Sequence, residues 1–360
     1  MVSTMSMNAR KAAVLTENAA IEVQDRPYLA PAEGEVEVAI SRAGICSSDI
    51  ERGFNHGAYH YPLVMGHELA GVITATPDAT STFKEGDRVA IFPLLPCFDC
   101  ISCRRKTYAL CKNYSYYGSR RDGGFASHLN CREWNLMKLP DNVGMDDAAL
   151  VEPTAVVIHA LRKLALDAFD RSVCVIGAGF LGLIAVMYMR HHFPQLDITL
   201  IDRNDDKIRA GAVLGADGVL LKNEDEWADF ISVNADSYAK VIEFVGAPET
   251  FCHSVSLCEQ GGTLVWVGNI IGDLTLPKKM VSSILRKELS ILGSWNSFYQ
   301  GEDFCDWQET LALMAGGFQP SRLVTTRIEI YELHYTISKL YRHKARKAEF
   351  ITTKVMVEID

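Results

Sequence analysis

The sequence predicts an α/β protein of two domains, one rich in β-strands and one built around a doubly wound parallel sheet. The chain has 360 residues, of which 48% are hydrophobic and 22% charged, and a chain of this length buries more than one core. Short alternating or β-branched segments fill residues 11–92, which is typical of a β-rich domain. From about residue 150 strands and helices alternate, which indicates a parallel sheet with crossover helices.

The individual elements follow from these two patterns. In the first domain we predict strands at 36–41, 69–76 and 86–92. In the second we predict strands at 172–177, 198–202, 241–245, 262–268 and 289–294, with helices after 177 and over 204–216. Residues 274–277 are predicted to form a further strand that could pair across a two-fold axis. An amphipathic helix after residue 297 and a strand at 354–358 close the chain.

Charge and apolar segments exclude two classes of partner. The chain has 36 Lys and Arg residues and 45 Asp and Glu residues, which give a net charge of −9. We therefore expect no broad basic surface for nucleic acid. Residues 1–11 lack the apolar segment of a signal peptide, and the apolar run at 180–189 is too short to cross a membrane. We therefore expect a cytoplasmic protein with a small-molecule partner.

Four of the ten cysteines have the spacing of a metal site. Cys97, Cys100, Cys103 and Cys111 follow C-x2-C-x2-C-x7-C, a pattern that allows four thiolates to enclose one ion, as in structural zinc sites. Iron–sulfur clusters use a related pattern, but with a shorter last interval followed by proline. The spacing favours structural zinc, and most of the other cysteines are expected to be buried thiols.

A glycine-rich turn opens the second domain. Gly177, Gly179 and Gly182 form G-x-G-x-x-G between a predicted strand and a predicted helix, which is the Rossmann arrangement for binding a dinucleotide pyrophosphate at a helix N-terminus. Asp202 ends the next strand, where a carboxylate binds the adenosine ribose and repels a 2′-phosphate. NAD is favoured over NADP on that ground, although the adjacent Arg203 is able to bind such a phosphate.

A second group of potential ligands lies in the β-rich domain. Cys46, His67 and Glu152 would provide three protein ligands and leave one position open, as in catalytic zinc sites. Their spacing alone does not show that they converge, since packed or hydrogen-bonded cysteines and histidines are common. Two arginines, Arg120 and Arg121, stand in the segment GSRRDGG at 118–124. Their guanidinium groups would suit a phosphate monoester, but the residues alone favour a surface pair that is solvated or bonded to Asp122.

The order of these motifs resembles the zinc-containing medium-chain alcohol and polyol dehydrogenases over nearly the whole chain. G-I-C-x-S-D is followed by G-H-E-x-x-G, the four cysteines, E-P and G-x-G-x-x-G, and YYGSRRDGGFA at 116–126 resembles sugar-phosphate members. The resemblance implies a GroES-like catalytic domain at 1–155 and 298–360, and a Rossmann coenzyme domain at 156–297. Ser47 and the C-terminal TTKVMVEID depart from the usual family pattern without touching an expected ligand.

The resemblance also implies roles for single residues. Cys46, His67 and Glu152 would bind catalytic zinc, with Glu68 as an alternating ligand or a carboxylate beside the metal, and Ser48 would accept the substrate proton. The coenzyme would contact Gly177, Gly179, Phe180, Leu181, Gly182, Asp202, Arg203 and Lys207. The substrate would contact Arg120, Arg121, Trp295 and Asn296. Lys207 has a second interpretation, as a solvated surface lysine, and Trp295 and Asn296 as packing and turn residues.

Three functions remain open at this point. The first is NAD-dependent oxidation of a polyol phosphate by an enzyme with two zinc ions per chain, and the second is the same reaction on an unphosphorylated polyol or vicinal diol. The third is a catalytically silent dinucleotide-binding protein, which would need none of Cys46, Ser48, His67 and Glu152. Relatives that are dimers and tetramers make a homo-oligomer the expected assembly. Sugar stereochemistry is not readable, because pocket shape rather than a motif selects it.

Overall fold

The computed structural model describes residues 10–77, 81–301, 304–344 and 352–359. The chain divides into two units, which we call the β-rich unit (Met1–Pro153 and Phe298–Asp360) and the parallel-sheet unit (Thr154–Ser297). Most of the segment 1–11, on which we based the expectation of no signal peptide, lies outside the described residues. In the described part of the chain, every helix is too short or too polar to cross a bilayer.

The secondary structure begins, in chain order, with β1 Arg10–Glu17, β2 Ala20–Arg26, β3 Glu35–Gly44, α1 Ser47–Phe54, β4 Leu63–Val64, β5 Glu68–Ala75, β6 Arg88–Ile91, β7 Leu94–Leu95, α2 Ile101–Arg104, β8 Ser115–Tyr116, β9 His128–Arg132, β10 Leu136–Lys138, α3 Met145–Ala149 and α4 Val151–Leu164. It continues with β11 Ser172–Ile176, α5 Phe180–His192, β12 Asp197–Asp202, α6 Asp205–Val213, β13 Asp217–Leu220, α7 Glu224–Asn234, β14 Tyr238–Glu243, α8 Pro248–Leu257, β15 Cys258–Trp266, α9 Lys278–Arg286 and β16 Ser290–Gly293. It ends with α10 Asp306–Ala315, β17 Thr326–Glu329, α11 Leu333–Lys344 and β18 Val355–Glu358.

Two main sheets form the β-rich unit. One has the strand order β10-β6-β5-β3-β18-β17, with β9 also paired to β3, and the other has the order β2-β1-β4. Along β3 the apolar side chains Val36, Val38 and Ile40 recur at every second position and are buried, as the two-residue period of a strand requires. The long β3 therefore organises the core from which the loops with the predicted zinc ligands extend.

The parallel-sheet unit has the strand order β13-β12-β11-β14-β15-β16, and every pair is parallel. Val173, Cys174 and Val175 of the central β11 are fully buried, as expected for a strand covered on both faces. The order reverses between β11 and β14, and ligands of such sheets bind at the carboxyl ends of the strands at this point. The predicted fold class is confirmed for both units.

Several strands differ from their predicted bounds: β15 begins at Cys258 rather than residue 262, and β3 ends at Gly44 rather than residue 41. Strand β14 begins at Tyr238, earlier than the predicted residue 241, because Tyr238 pairs with Cys258 before the register shift that precedes Lys240. Residues 274–277 have no strand partner within the described chain, and Pro277 is the N-cap of α9. The predicted pairing of this segment involves a second copy of the chain across a two-fold axis, and it stays a prediction.

Candidate active site

The predicted structural-zinc cysteines converge on one point of the β-rich unit. The Sγ–Sγ distances are 3.5 Å for Cys100–Cys103 and Cys97–Cys111, 3.8 Å for Cys100–Cys111 and 3.9 Å for Cys97–Cys103. Tetrahedral zinc with thiolate ligands at ~2.3 Å requires sulfurs about 3.8 Å apart. The donor set therefore fits one zinc ion without rearrangement.

The backbone around these cysteines favours thiolates. The N–H of Cys100 donates to the Cys97 sulfur at 3.4 Å, and the N–H of Cys97 donates to the Cys111 sulfur at 3.3 Å. Backbone N–H groups of Cys103 and Lys112 lower the pKa of Cys100 to about 6, whereas burial raises the pKa of Cys103 to about 12. A dication at the centre of the sulfurs would favour the deprotonated form of all four thiols.

An aromatic cluster packs beneath this zinc lobe, which we define as residues 97–111. The Trp134 ring lies 5.0 Å from Phe98 and 5.1 Å from Tyr108, both within the lobe. On its other side Trp134 lies 5.0 Å from Tyr299 and 5.9 Å from Phe92 in the core of the β-rich unit. These edge-to-face contacts attach the lobe to that core.

A second cluster of potential ligands brings together Cys46, His67 and Glu68. One ligand atom from each lies within 4.8 Å of the other two. Cys46 precedes α1, and Glu68 begins β5 directly after His67, so a loop and a strand end supply the cluster. The cluster contains the predicted residues Cys46 and His67, but Glu68 rather than Glu152 completes it.

Glu152 lies beside the cluster in the first turn of α4. It is buried, and one of its oxygens accepts a hydrogen bond of 3.3 Å from the Tyr116 hydroxyl. Burial raises the pKa of Glu152 to about 7, with Glu68 adding to that rise and His67 opposing it. A cation would stabilise the charged form of this carboxylate.

Two further residues orient the cluster, although neither was predicted to have this role. Asp49 is fully buried and lies 3.4 Å from Nδ1 of His67, which leaves Nε2 as the ligand atom. Burial lowers the pKa of His67, but the charges of Asp49 and Cys46 raise it more, to well above its usual range. Asp49 also accepts a hydrogen bond from the N–H of Cys46 at 3.0 Å. The sequence could have predicted this contact, because a carboxylate three residues after a helix N-cap commonly accepts the N-cap N–H.

Lys354 is the second such residue, and its ion pair with Glu68 corrects the expectation that the C-terminal TTKVMVEID does not touch an expected ligand. It is 5% exposed, forms an ion pair with Glu68, and donates from Nζ to the carbonyl of Ile45 at 3.0 Å. A side chain at Gly44 would collide with the Glu68 carboxylate, so the pair occupies a closed space. The Lys354 charge neutralises Glu68 next to a second carboxylate, Glu152.

Ser48, the predicted proton acceptor, follows Cys46 closely in the first turn of α1. Its side chain is half-buried, and its hydroxyl has no hydrogen-bond partner among the described residues. A hydroxyl in this state is available to a substrate, and its role as proton acceptor stays a prediction.

The segment GSRRDGG at 118–124 forms a turn that is fixed on the strand end preceding His67. Gly123 and Gly124 donate to the carbonyls of Val64 and Gly66 at 2.8 and 3.0 Å. The carboxylate of Asp122 accepts the N–H of Val64 at 2.9 Å. These three bonds hold the GSRRDGG turn at a constant position relative to the zinc-site cluster.

The two arginines of the GSRRDGG turn have different surroundings. The Arg120 guanidinium lies 3.9 Å from the Tyr114 ring centroid and 4.9 Å from that of Tyr59, and it donates to the Tyr114 carbonyl at 2.8 Å. The Tyr114 ring in turn contacts Tyr116, the hydroxyl donor to Glu152. Arg121 is exposed, and its side chain has no hydrogen bond or ion pair within the described residues.

The predicted dinucleotide site occupies the carboxyl end of β11 in the parallel-sheet unit. A Cβ atom added to Gly179 would meet no heavy atom within 4 Å, so the space above the start of α5 is open. A Cβ atom on Gly182 would collide with the Gly177 carbonyl, which explains glycine at this helix–strand contact. Phe180 and Leu181 form the first turn of α5, where N–H groups and the helix dipole favour a pyrophosphate.

Asp202 ends β12 next to this turn. Its carboxylate accepts the N–H of Ala178 at 2.8 Å and the N–H of Asn204 at 2.9 Å. The side chains of Arg203 and Lys207 have no hydrogen bond or ion pair with any described residue, and Lys207 is half-buried. The residues present fit an adenosine ribose, with one carboxylate and two available cations beside it.

The remaining predicted substrate residues are Trp295 and Asn296. Trp295 is 56% exposed, and Asn296 adopts a left-handed conformation with φ of 56° while its side-chain oxygen accepts the N–H of Ser297 at 2.7 Å. This geometry is that of a turn asparagine. A substrate contact by either residue stays a prediction.

Comparison with known proteins agrees with this geometry. The sequence profile of the alcohol dehydrogenase GroES-like domain matches residues 32–141, and that of the zinc-binding dehydrogenases matches residues 181–316. Galactitol 1-phosphate 5-dehydrogenase of Escherichia coli is 34% identical over 284 residues, which cover 78% of this chain and 82% of the relative. The chain belongs to the zinc-binding medium-chain alcohol and polyol dehydrogenase family.

Two further similarities extend over the whole chain. The crystal structure of galactitol-1-phosphate dehydrogenase from Escherichia coli superimposes with a TM-score of 0.84 at 30% identity, over 97% of this chain and 100% of that one. Sorbitol dehydrogenase of Bacillus subtilis is 28% identical over 99% of each chain. The family resemblance noted in the sequence is thereby confirmed, and the protein is an oxidoreductase of this zinc-binding family.

Proposed function

We propose that the protein catalyses the NAD-linked, zinc-dependent oxidation of a secondary alcohol on a polyol phosphate, and that galactitol 1-phosphate, oxidised to tagatose 6-phosphate, is its substrate. The observation that carries the proposal is the buried cluster of Cys46, His67 and Glu68, with Glu152 beside it. The similarity to galactitol 1-phosphate 5-dehydrogenase supports the choice of substrate.

Cys46, His67 and Glu152 would hold the catalytic zinc, and one position would stay open. Glu68 already has a cationic partner in Lys354, whereas the one hydrogen bond to Glu152 among the described residues comes from the neutral Tyr116 hydroxyl. Glu152 is therefore the carboxylate that most needs the positive charge of the ion. Glu68 stays close enough to replace it during turnover.

When bound, zinc would stabilise the negative charge that develops on the substrate oxygen and lower the pKa of the alcohol. Ser48 would accept the alcohol proton, because its half-buried hydroxyl is available. Asp49 would hold the His67 ring with Nε2 directed to the metal. The hydride would pass to the nicotinamide ring of NAD.

The coenzyme would be held by the turn from Gly177 to Gly182, with its pyrophosphate at the N-terminus of α5. Asp202 would accept hydrogen bonds from the ribose hydroxyls and would repel a 2′-phosphate, which favours NAD. Arg203 and Lys207 would lie at the adenosine end, where Lys207 is also able to contact the ribose.

Arg120 is the residue that we assign to the substrate phosphate. The stacking of its guanidinium on two tyrosines fixes its orientation and lowers the entropy that phosphate binding costs. Tyr114 and Tyr116 connect it through ring contacts to Glu152 and His67. Arg121 has no such connection, and we do not assign it to the substrate.

The second candidate function is oxidation of an unphosphorylated polyol. The full-length similarity to sorbitol dehydrogenase favours it, since that relative acts on a polyol without phosphate. A silent dinucleotide-binding protein is a weaker candidate, because it would retain no zinc cluster and no available Ser48 hydroxyl. The oligomeric state and the physiological direction stay predictions from the family resemblance.

The test compares kcat/KM for galactitol 1-phosphate and galactitol on the zinc-loaded enzyme with NAD. A preference of about a hundredfold for the phosphate, equivalent to roughly 2.7 kcal/mol of transition-state binding, is the expected result. Arg120→Ala is expected to lose most of this preference, and Arg286→Ala, which removes an exposed arginine of α9, is the matched control. Equal values for both compounds in the wild type would favour the unphosphorylated polyol instead.

A further inference from the structure

A cavity of about 700 Å³ lies beside the GSRRDGG turn in the β-rich unit. Its walls come from β1, the loop after β2, the turn itself and β9. Cys46, His67, Glu68 and Glu152 are not among the described residues that line it. The cavity is therefore separate from the zinc-site cluster, although the same turn borders it.

The cavity is rich in positive charge in a chain whose net charge is −9. It is lined by five cationic side chains, Arg10, Lys11, Arg26, Arg120 and Arg121, and by three acidic ones, Glu35, Glu37 and Asp122.

Four of the five cations have partners. Arg10 forms an ion pair with Glu37 at 2.8 Å, Arg26 with Asp122 at 3.5 Å, and Lys11 with Asp25 at 3.0 Å. Arg120 stacks on two tyrosines that do not line the cavity. Arg121 alone of the five has no hydrogen bond or ion pair from its side chain within the described part of the chain.

The backbone of Arg121 is nevertheless held in place by hydrogen bonds. Its backbone N–H donates to the Tyr116 carbonyl at 3.1 Å, and its own carbonyl accepts the N–H of Gly118 at 2.8 Å. The backbone that carries Arg121 is thus as fixed as the rest of the GSRRDGG turn, while its five N–H donors stay available. An anion at this place would gain hydrogen bonds to a charged donor without displacing an existing pair.

The remaining lining suits an organic group attached to the anion. Pro27, Leu29 and Pro62 offer apolar surface, while Glu35 and Asn130 offer oxygen atoms that can accept hydrogen bonds from hydroxyls. His60 and His128 also line the cavity. The volume exceeds what an inorganic ion alone would fill and falls within the range of small-molecule pockets.

We propose that this cavity is a second anion-binding site, for the phosphate monoester of a small polyhydroxylated compound, with Arg121 as its principal phosphate ligand. Because the GSRRDGG turn is bonded to the backbone at Val64 and Gly66, next to His67, a ligand here would stabilise the backbone beside the zinc site. The site is regulatory in character and goes beyond the proposed function, since it does not depend on which alcohol is oxidised.

Binding of inorganic phosphate and of galactitol 1-phosphate to the zinc-loaded enzyme without coenzyme, measured by calorimetry, tests the proposal. Arg121→Ala is expected to weaken phosphate binding about tenfold or more, and Arg121→Lys to weaken it less. Arg286→Ala removes an exposed arginine far from the turn in sequence and is expected to bind as the wild type does. Unchanged phosphate affinity in Arg121→Ala would overturn the proposal.

A kinetic measurement separates this site from the substrate site. The ratio of kcat/KM for galactitol 1-phosphate to that for galactitol is expected to stay at its wild-type value in Arg121→Ala and to fall in Arg120→Ala. If the ratio falls equally in both variants, Arg121 belongs to the substrate phosphate and the second site is rejected. If Arg121→Ala loses phosphate binding while the ratio stays constant, the second site stands even if the substrate proves unphosphorylated.

Discussion

At the residue scale, a partner residue holds each of three side chains at the candidate zinc site: Asp49 faces His67, Lys354 pairs with Glu68, and Tyr116 donates to Glu152. Cys46, His67 and Glu68 stand in short motifs, and the structure brings them together. Lys354 and Tyr116 stand in the segments TTKVMVEID and YYGSRRDGGFA, but their contacts with Glu68 and Glu152 are tertiary and join distant parts of the chain. Such contacts depend on the tertiary fold and could not be predicted from the local sequence.

Lys354 gives the first prediction. Lys354→Met is expected to lower the free energy of unfolding by about 3–5 kcal/mol, because it leaves the Glu68 carboxylate buried without its cation. The double variant Lys354→Met with Glu68→Gln is expected to recover most of that loss. Urea unfolding of the zinc-loaded proteins measures both changes.

Lys112→Met, at an exposed lysine, is the matched control and should change stability by less than about 0.5 kcal/mol. A double variant no more stable than Lys354→Met would show that the ion pair with Glu68 is not the source of the effect.

At the element scale, two glycines near the turn between β11 and α5 have different roles. Gly179 leaves space for the coenzyme, and Gly182 allows the helix to pack against the strand. Gly179→Ala is expected to leave the unfolding temperature nearly unchanged, since the added Cβ enters open space and the backbone is extended there. It should raise the dissociation constant for NADH about tenfold or more, because that space is needed by the pyrophosphate. Thermal unfolding and NADH fluorescence titration give the two values.

Gly182→Ala is the contrasting variant in the same turn. Its Cβ would collide with the Gly177 carbonyl, so a loss of about 1–3 kcal/mol in stability is expected. Equal stability of the two variants would show that the helix–strand contact tolerates a methyl group.

Helix α3 offers a prediction on pH. Asp146 pairs with Arg42 of β3 at 3.0 Å and with Arg327 of β17 at 2.7 Å. Burial raises the pKa of Asp146, but the two arginines lower it more, so that it lies below its usual value. Because the folded-state pKa is lowered, the stabilisation is present above the unfolded-state pKa near ~3.9 and is lost as the pH falls through the folded value.

Asp146→Asn is therefore expected to lower the unfolding temperature at pH 7 and to approach the wild type as the pH falls below about 3.9. Asp141→Asn, at an exposed aspartate in the preceding loop, serves as the control and should match the wild type throughout. A difference for Asp146→Asn that persists unchanged to pH 3 would contradict the charge-based explanation.

At the scale of the whole molecule, periodicity and motif order were sufficient for the fold class, because strands and helices alternate clearly after residue 150. The strand predicted at 274–277 stays a prediction, because its pairing across a two-fold axis requires a second copy of the chain. The different contacts of the Arg120 and Arg121 side chains could not be predicted from the sequence, because adjacent residues in a turn contact different neighbours. Pocket shape, which selects among polyols, could not be predicted from the sequence either, because it depends on tertiary contacts.

The whole chain is expected to bind two zinc ions. Metal analysis after dialysis should give two per chain for the wild type and one each for Cys46→Ser and Cys103→Ser. Cys46→Ser should lose activity with a stable fold, whereas Cys103→Ser should also lower the unfolding temperature, because the zinc lobe has only the short helix α2, a single 3-10 turn at Tyr108–Leu110 and few buried side chains of its own. A wild type that holds a single ion would contradict the two-site assignment.

The contact of Trp134 with both the zinc lobe and the core has a spectroscopic consequence. Its indole is enclosed by Phe98 and Tyr108 on one side and by Tyr299 on the other, so release of the lobe would admit water to the ring and move its emission to longer wavelength. The protein thus carries a built-in optical reporter for occupancy of the four-cysteine site. Chelation followed in real time by fluorescence would then resolve the loss of that ion from the loss of the catalytic one.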